Sequence, residues 1–426
     1  MESEPRQLHV FFLAQMADEI LMPTIELARL FARHDISIHE IEFPCTEAGL
    51  PERFQQLLQK CRPNCLVADL LLPWATEVAS KLGIPRLVFY GSSFLSLCAL
   101  DSKRSNKPQR DVITDLEPLT VPGLPDQIQM TNLQLPNFIR DATDNVIAKI
   151  LDQALQVELK SYGVIVNSFH ELEPAYSEHY RRVMGRKAWH VGPVSLSNRR
   201  ANYKTQTENT APIDGQEYLR WLDSKKPNLV LYVCFGSMYK FSALQLLEIA
   251  KGLEAYGQHF ISVCMNGEDK EDWMPEGFKE RIQGKGFIKK GWAPKIQILE
   301  HEDVGRFLTH CEWSSILEGV AAGVPMATWP LYGEQFFNEK LIIDVLRTGV
   351  GVGSQEWARW IDENKFIVKG NDISKAVTEL MIGEEANNMR SKAKELGEME
   401  RRAVEEGGSS STNLNALLAD LRSNCP

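Results

Sequence analysis

Short apolar runs alternate with helical stretches along almost the whole chain, and this alternation limits the fold more than any other feature. Leu8 to Leu13 reads as a strand, and after a polar break PTIELARLFARH sets Ile25, Leu27, Leu30 and Phe31 at helical spacing. Further apolar strands are predicted at Cys65 to Leu72, Arg86 to Tyr90, Gly163 to Asn167 and Leu229 to Phe235, with helical segments between them. Strands separated by helices pair in parallel and are covered on both faces, so α/β architecture is expected. A chain of 426 residues with 43% hydrophobic content exceeds one comfortable core, which predicts two domains.

The segment Ser195 to Pro212, SLSNRRANYKTQTENTAP, is polar and lacks an apolar period, as a linker does. The predicted boundaries are a first lobe over 1–196, a linker over 197–213, a second lobe over 214–403 and a terminal helix over 404–426 packing back on the first lobe. From Asp372 onward the pattern is helical, with a charged amphipathic run from Glu384 to Glu406 and a last helix at Leu414 to Leu421. Two such lobes would face each other across a cleft at the sheet ends, where Rossmann-like folds take their ligands.

Composition removes several functions. The 47 basic and 57 acidic residues give a net charge of -10, and no basic run is long enough to track a phosphate backbone, so nucleic acid is not an expected partner. The opening MESEPRQLHVFF reverses the charge order of a signal peptide, and no stretch reaches the roughly 20 apolar residues of a membrane span. A cytoplasmic protein is expected. Eight cysteines are scattered without disulfide or zinc-ribbon spacing, and the Cys61 and Cys65 pair finds no second pair or nearby histidine to complete a metal clip.

The most informative stretch runs from Trp292 to Gln335, WAPKIQILEHEDVGRFLTHCEWSSILEGVAAGVPMATWPLYGEQ. Trp292 offers a broad ring for stacking on a flat base, or serves only as core. Ser314, Ser315 and Glu318 open a helix whose free N–H groups and dipole suit a diphosphate, and Ser315-x-x-Glu318 fits a capping box. The purely structural reading is that the serines and Glu318 only cap that helix. This stretch, with LYVCFGSM and GEQFFNEKLI, closely resembles the nucleotide-sugar box of plant small-molecule UDP-sugar glycosyltransferases of secondary metabolism, and the likeness covers essentially the whole chain. The resemblance implies a GT-B-like fold of two Rossmann-like lobes. It also implies Trp292 on uracil, His310, Ser314 and Ser315 on phosphates, Glu318 on the ribose, Trp329, Glu334 and Gln335 on the sugar, and Ser237 as a further donor contact.

Three departures from that pattern stand out. The family's base is a histidine in its first loop, and in AQMADEILMPTIEL the matching residue is Ile20, with Glu19 where a glycine is expected. Asp69 matches the aspartate that orients the histidine, and a lone buried carboxylate must find other partners. Glu19 is a candidate replacement base, or else a solvated loop residue beside Asp18. On the donor side Glu312 and Arg306 stand where the family has glycines, Ser314 where it has an asparagine and Lys295 where it has a glutamine. Glu312 is a candidate to occupy the anion cradle at the helix start, with Lys295 offsetting part of its repulsion of a diphosphate. Lastly, the interval from Ile20 to Asp69 is about half the family's, so the N-terminal lobe is shortened, which would expose sheet edge and open the acceptor pocket.

The implied activity is transfer of a hexose, glucose by the Gln335 position, from a UDP-sugar co-substrate to a hydroxyl of an apolar metabolite of flavonoid or terpenoid type. Inversion in one displacement, no further cofactor, no metal and a monomer go with it. The departures predict that this transfer is weak or absent. The alternatives are a non-catalytic metabolite- or nucleotide-binding protein on the same fold, or an enzyme turned to isomerisation or cyclisation.

Overall fold

The computed structural model describes residues 7–15, 18–43, 49–106, 114–140, 146–203, 216–264, 274–291, 293–358 and 366–424. Along the chain come β1 (His9–Gln15), β2 (Ser37–Phe43), β3 (Cys65–Asp69) and β4 (Arg86–Tyr90), then the short pair β5 (Leu119–Thr120) and β6 (Gln129–Met130). There follow β7 (Gly163–Val166), β8 (Ala188–His190), β9 (Val230–Cys234), β10 (Phe260–Cys264) and β11 (Gly286–Lys290). The last three are β12 (Val304–Thr309), β13 (Met326–Thr328) and β14 (Gly349–Gly351).

The strands form two six-stranded sheets, ordered β2-β1-β3-β4-β7-β8 and β11-β10-β9-β12-β13-β14, and every pairing within them is parallel. The antiparallel pair β5 and β6 stands apart. Each sheet belongs to its own compact unit. One contains Met1–Cys98, Asp141–Thr207 and Glu400–Pro426, and the other Ala99–Arg140 and Glu208–Met399. Residues 99–140 therefore pack with the second unit rather than in the first lobe where the sequence boundaries put them. Within that unit Trp357 N donates to Leu133 O at 2.7 Å, one tie local sequence cannot reveal.

Alternation along β1 divides the first unit's core. Val10 and Phe12 join Val67, Phe89 and the terminal helix, while Phe11 and Leu13 pack with Leu66, Ala68, Phe54 and Leu58 on the other face. Burial on both faces is why these strands read as unbroken apolar runs. The terminal helix Ser409–Asn424 contributes Leu414, Leu417, Leu418 and Leu421 to the first of these layers, and Ser410 Oγ donates to Gly192 O.

The shortened interval still holds a complete strand and helix, β2 and Leu50–Cys61. Phe54 and Leu58 on that helix are buried, and its 12 residues bridge β2 to β3 within the length a parallel crossover needs. β2 is left as the sheet edge, and His39 and Glu40 on it are exposed, polar cover that discourages edge pairing. A second difference is that Val194–Tyr203, expected to be linker, is helical. Val194 and Leu196 are buried, Asn198 Nδ2 donates to Glu26 O at 2.7 Å, and Arg33 donates to the carbonyls of Ser197 and Asn198, so packing on the helix Asp18–Ala32 supplies what the local pattern lacks. The rest of the predicted linker lies outside the described residues.

Leu417→Ala should lower the free energy of urea unfolding by about 2–5 kcal/mol, because the site is fully enclosed in the first unit's core. An unchanged midpoint and slope would remove the terminal helix from that core.

Candidate functional site

In an open parallel sheet, ligands bind beyond the strand ends where the strand order reverses. In the first sheet that point falls between β1 and β3, and in the second between β9 and β12.

Beyond β1, Ile20 lies in the first turn of the helix Asp18–Ala32, its carbonyl accepting from Thr24 Oγ1 at 2.8 Å. Glu19 shares that turn, but its side chain, like Met16 and Ala17, lies outside the described residues. Asp69 ends β3, and its carboxylate accepts from Leu71 N at 2.7 Å, while Arg86 Nη2 donates to the Asp69 carbonyl at 2.6 Å. Burial pushes the Asp69 carboxyl up to about 6, against the opposing pull of Leu71 N–H, the Arg86 charge and Leu70 N–H. Among the described residues no imidazole stands against it. His39 meets His9 at 3.0 Å and stacks on Phe11, and His170 stacks on His190.

Beyond β12 the chain passes through His310, Cys311 and Glu312 into the helix Trp313–Ala322. The N-cap is Glu312. Its Oε1 accepts from Ser314 N at 2.9 Å and its Oε2 from Ser315 N at 3.1 Å and Ser315 Oγ at 3.2 Å. These are the N–H groups a helix start offers to an anion, and the chain's own carboxylate takes them. The capping box predicted at Ser315 and Glu318 does not form, because Ser315 is already the third helical residue and Glu312 caps first.

Glu318 instead faces Lys295, whose Nζ lies 2.6 Å from Glu318 Oε2 and donates to Ser315 Oγ at 2.9 Å. Burial acts to lower the Lys295 pKa, but the Glu318 and Glu312 carboxylates more than offset it and hold the ammonium charged. His310 is buried, and its imidazole is pushed down to about 4, by burial first and by Lys295 second, against Glu312 and a backbone bond to Cys234. Gly236, at φ 71 in the turn after β9, lets the backbone approach that ring, since a Cβ there would stand 2.8 Å from His310 Nε2. Ser237 in the same turn is exposed.

The sugar-side residues divide. Trp329 is only 1% exposed, edge-on to Phe235 and tilted against Phe241, so its ring packs in the core of the second unit. Gln335 is buried, and its Oε1 accepts from Leu331 N at 2.9 Å and Tyr332 N at 3.1 Å. Glu334 is partly exposed at the start of the helix Gln335–Lys340, within 3.4 Å of Asn338 Nδ2. Trp292 lies outside the described residues. Arg306, read as a donor-side change, is buried within β12 and donates to Asn228 O at 3.0 Å, a structural role away from the helix start.

Two features escape a motif reading. Cys311 holds φ 66, unusual for a residue with a Cβ, and Asn338 Nδ2 donates to its carbonyl at 3.0 Å. Nothing in the sequence marks the Cys311 turn. The spacing of Asn338 one helical turn after Glu334 was the available clue. Among the described residues no group of three or more histidine, cysteine or acidic side chains is arranged to hold a metal, and no helix is long and apolar enough to cross a membrane.

A family model described as UDP-glucoronosyl and UDP-glucosyl transferase matches residues 8–356. The chain is 45% identical to scopoletin glucosyltransferase of Nicotiana tabacum, over 97% of this chain and 98% of that protein. It is likewise 45% identical to UDP-glucose flavonoid 3-O-glucosyltransferase 7 of Fragaria ananassa, over 98% and 96%. The first alignment runs over 469 positions, more than the 426 residues of the whole chain, so it carries gaps on this chain's side. Among solved structures, Glycyrrhiza uralensis UGT73P12 complexed with glycyrrhetinic acid 3-O-monoglucuronide superposes with a TM-score of 0.89 at 36% identity, covering 98% of this chain and 96% of that one. A UGT transferase from Siraitia grosvenorii in complex with UDP gives 0.82 at 28% identity, covering 97% and 100%.

The buried imidazole makes a pH prediction. The folded pKa of His310 lies below the ordinary 6.5, so between pH 6.5 and about 4 the unfolded chain binds the extra proton. Its contribution to stability is complete above 6.5 and is lost as pH falls through about 4. His310→Asn should flatten the fall of unfolding free energy across that window, and an identical slope in both proteins would contradict the assignment.

Proposed function

This chain belongs to the UDP-glucoronosyl and UDP-glucosyl transferase family, and on that premise we propose that it recognises a UDP-sugar weakly and transfers the hexose slowly or not at all. The sugar is glucose and the acceptor a hydroxyl of an apolar plant metabolite. This follows the scopoletin and flavonoid glucosyltransferases that the chain is similar to. The transfer inverts the anomeric carbon, and the UDP-sugar is a co-substrate needing no further cofactor. The protein works as a cytoplasmic monomer.

The observation that carries this reading is Glu312 on the N–H groups of Ser314 and Ser315. A diphosphate entering there must displace a carboxylate or share the site with it. Two unit charges several ångströms apart in a partly buried site repel by about 1–4 kcal/mol, or one to three decades of affinity. On the acceptor side Ile20 has no proton-accepting atom, and loss of a general base slows transfer by about 10²–10⁴-fold. Asp69 remains as a base of suitable pKa, and its bond from Leu71 N tempers it. The paired Lys295 and Glu318 add a second barrier, because ribose hydroxyls must compete with an ion pair for the Glu318 carboxylate.

Calorimetric titration with UDP and UDP-glucose tests the donor argument. Glu312→Gly should tighten UDP by about tenfold or more. An equal or weaker complex would defeat the charge argument. In a chain carrying that change, Ile20→His should raise glucosylation of a simple phenol by about 10²-fold, and unchanged turnover would show that the base is not what limits it.

A further inference from the structure

The loop from Pro330 to Gln335, which carries Glu334 and Gln335, is held from a segment outside the signature stretch. Ser354 Oγ donates to Pro330 O at 2.8 Å, and Ala358 N donates to Leu331 O at 2.6 Å. The indole N–H of Trp357 donates to Gly333 O at 3.0 Å. Gly333 takes φ 59, a left-handed turn that sets the direction of the chain into Glu334, and the Trp357 bond fixes the peptide immediately before that residue. Trp357 lies in the segment after β14, and its side chain packs against a hydrophobic cluster of the second unit, which anchors the donor.

Polarity follows from the same bonds. Both backbone N–H groups of Leu331 and Tyr332 point at one end of the Gln335 amide, which must therefore be its oxygen. The end left for a ligand is the NH₂, which only donates, whereas the Glu334 carboxylate only accepts.

We propose that Trp357 is a positioning residue for the hexose. Through Gly333 O it fixes where Glu334 and Gln335 stand, and the pair meets sugar hydroxyls with one acceptor and one donor. This rests on the reading of the second unit as a UDP-sugar site. It differs from that reading in acting on the sugar and not on the nucleotide.

The test uses the full chain carrying Glu312→Gly, with and without Trp357→Phe, which keeps a ring and removes the N–H. Dissociation constants are measured for UDP and for UDP-glucose. The expected result is UDP-glucose weakened about three- to tenfold with UDP unchanged, the effect of one neutral hydrogen bond. Equal weakening of both ligands, which a merely structural role produces, or no change in either, overturns the proposal. Should Trp357→Phe fail to fold, Ser354→Ala is measured in its place. It should shift the UDP-glucose to UDP ratio in the same direction, and an unmoved ratio overturns the proposal. If the Glu312→Gly chain binds neither ligand, the donor-site reading falls, and amide exchange in the ligand-free protein then decides the positioning role. Trp357→Phe should speed exchange across Leu331–Gln335 while leaving Trp313–Ala322 unchanged, and equal exchange in both segments overturns it.

Discussion

A helix that starts inside a protein leaves backbone N–H groups needing an acceptor, and at Trp313–Ala322 that acceptor is the carboxylate of Glu312. Much of the second unit's chemistry is arranged around this capping. The N-cap residue of a helix normally has a short side chain reaching one N–H. A glutamate in extended backbone geometry reaches two, those of Ser314 and Ser315, and adds the Ser315 hydroxyl. Lys295 is drawn onto the same hydroxyl and onto Glu318, so its charge is balanced from within, while burial keeps the neighbouring His310 imidazole neutral. The helix dipole that would favour an anionic ligand already stabilises an anion that belongs to the chain.

The two sheets place their polar groups by one topological device. Where the strand order turns back on itself, adjacent crossovers leave in opposite directions and the strand ends between them stay uncovered. In the first unit this sets Asp69 at the end of β3 and the first turn of the helix Asp18–Ala32 beyond β1. In the second it sets the Gly236 turn and the His310 to Ser315 segment beyond β9 and β12. β2 and the helix Leu50–Cys61 complete the crossovers that lead from β1 to β3, with β2 as the sheet's edge.

What the sequence made legible follows burial. β1, β3, β4, β7 and β9 are covered on both faces and stand out as continuous apolar runs. β2, SIHEIEF, is an edge strand whose mixed polarity conceals it. The helix at Val194–Tyr203 has no period because it is held by polar bonds to the helix Asp18–Ala32, which no local window contains. In the site, the displacement of the anion cradle by Glu312 was readable, since a carboxylate at that place has an evident target. The spacing Ser315-x-x-Glu318 suggests a capping box that does not form, because spacing alone cannot say which residue comes first on the helix. Trp329 has a type that suits a sugar, but its packing on Phe235 and Phe241 in the core is set by residues far from it in sequence.

Asp69 bears on what remains of the acceptor chemistry. An aspartate that orients a histidine needs its carboxylate free on one side, with burial to keep it from water. Among the described residues no imidazole meets Asp69, and its carboxylate accepts from the backbone N–H of Leu71 in its own loop. Arg86, the nearest cation, bonds the Asp69 carbonyl and so secures the end of β3 while neutralising the carboxylate only through space. Burial then outweighs these partners and lifts the pKa to about 6, near the range where a carboxylate can take a proton. The end of β3 thus holds a buried carboxylate whose proton affinity is set by burial against backbone N–H bonds and the Arg86 charge. An acid-base role for Asp69 depends on an acceptor acidic enough to give up its proton to a carboxylate instead of an imidazole.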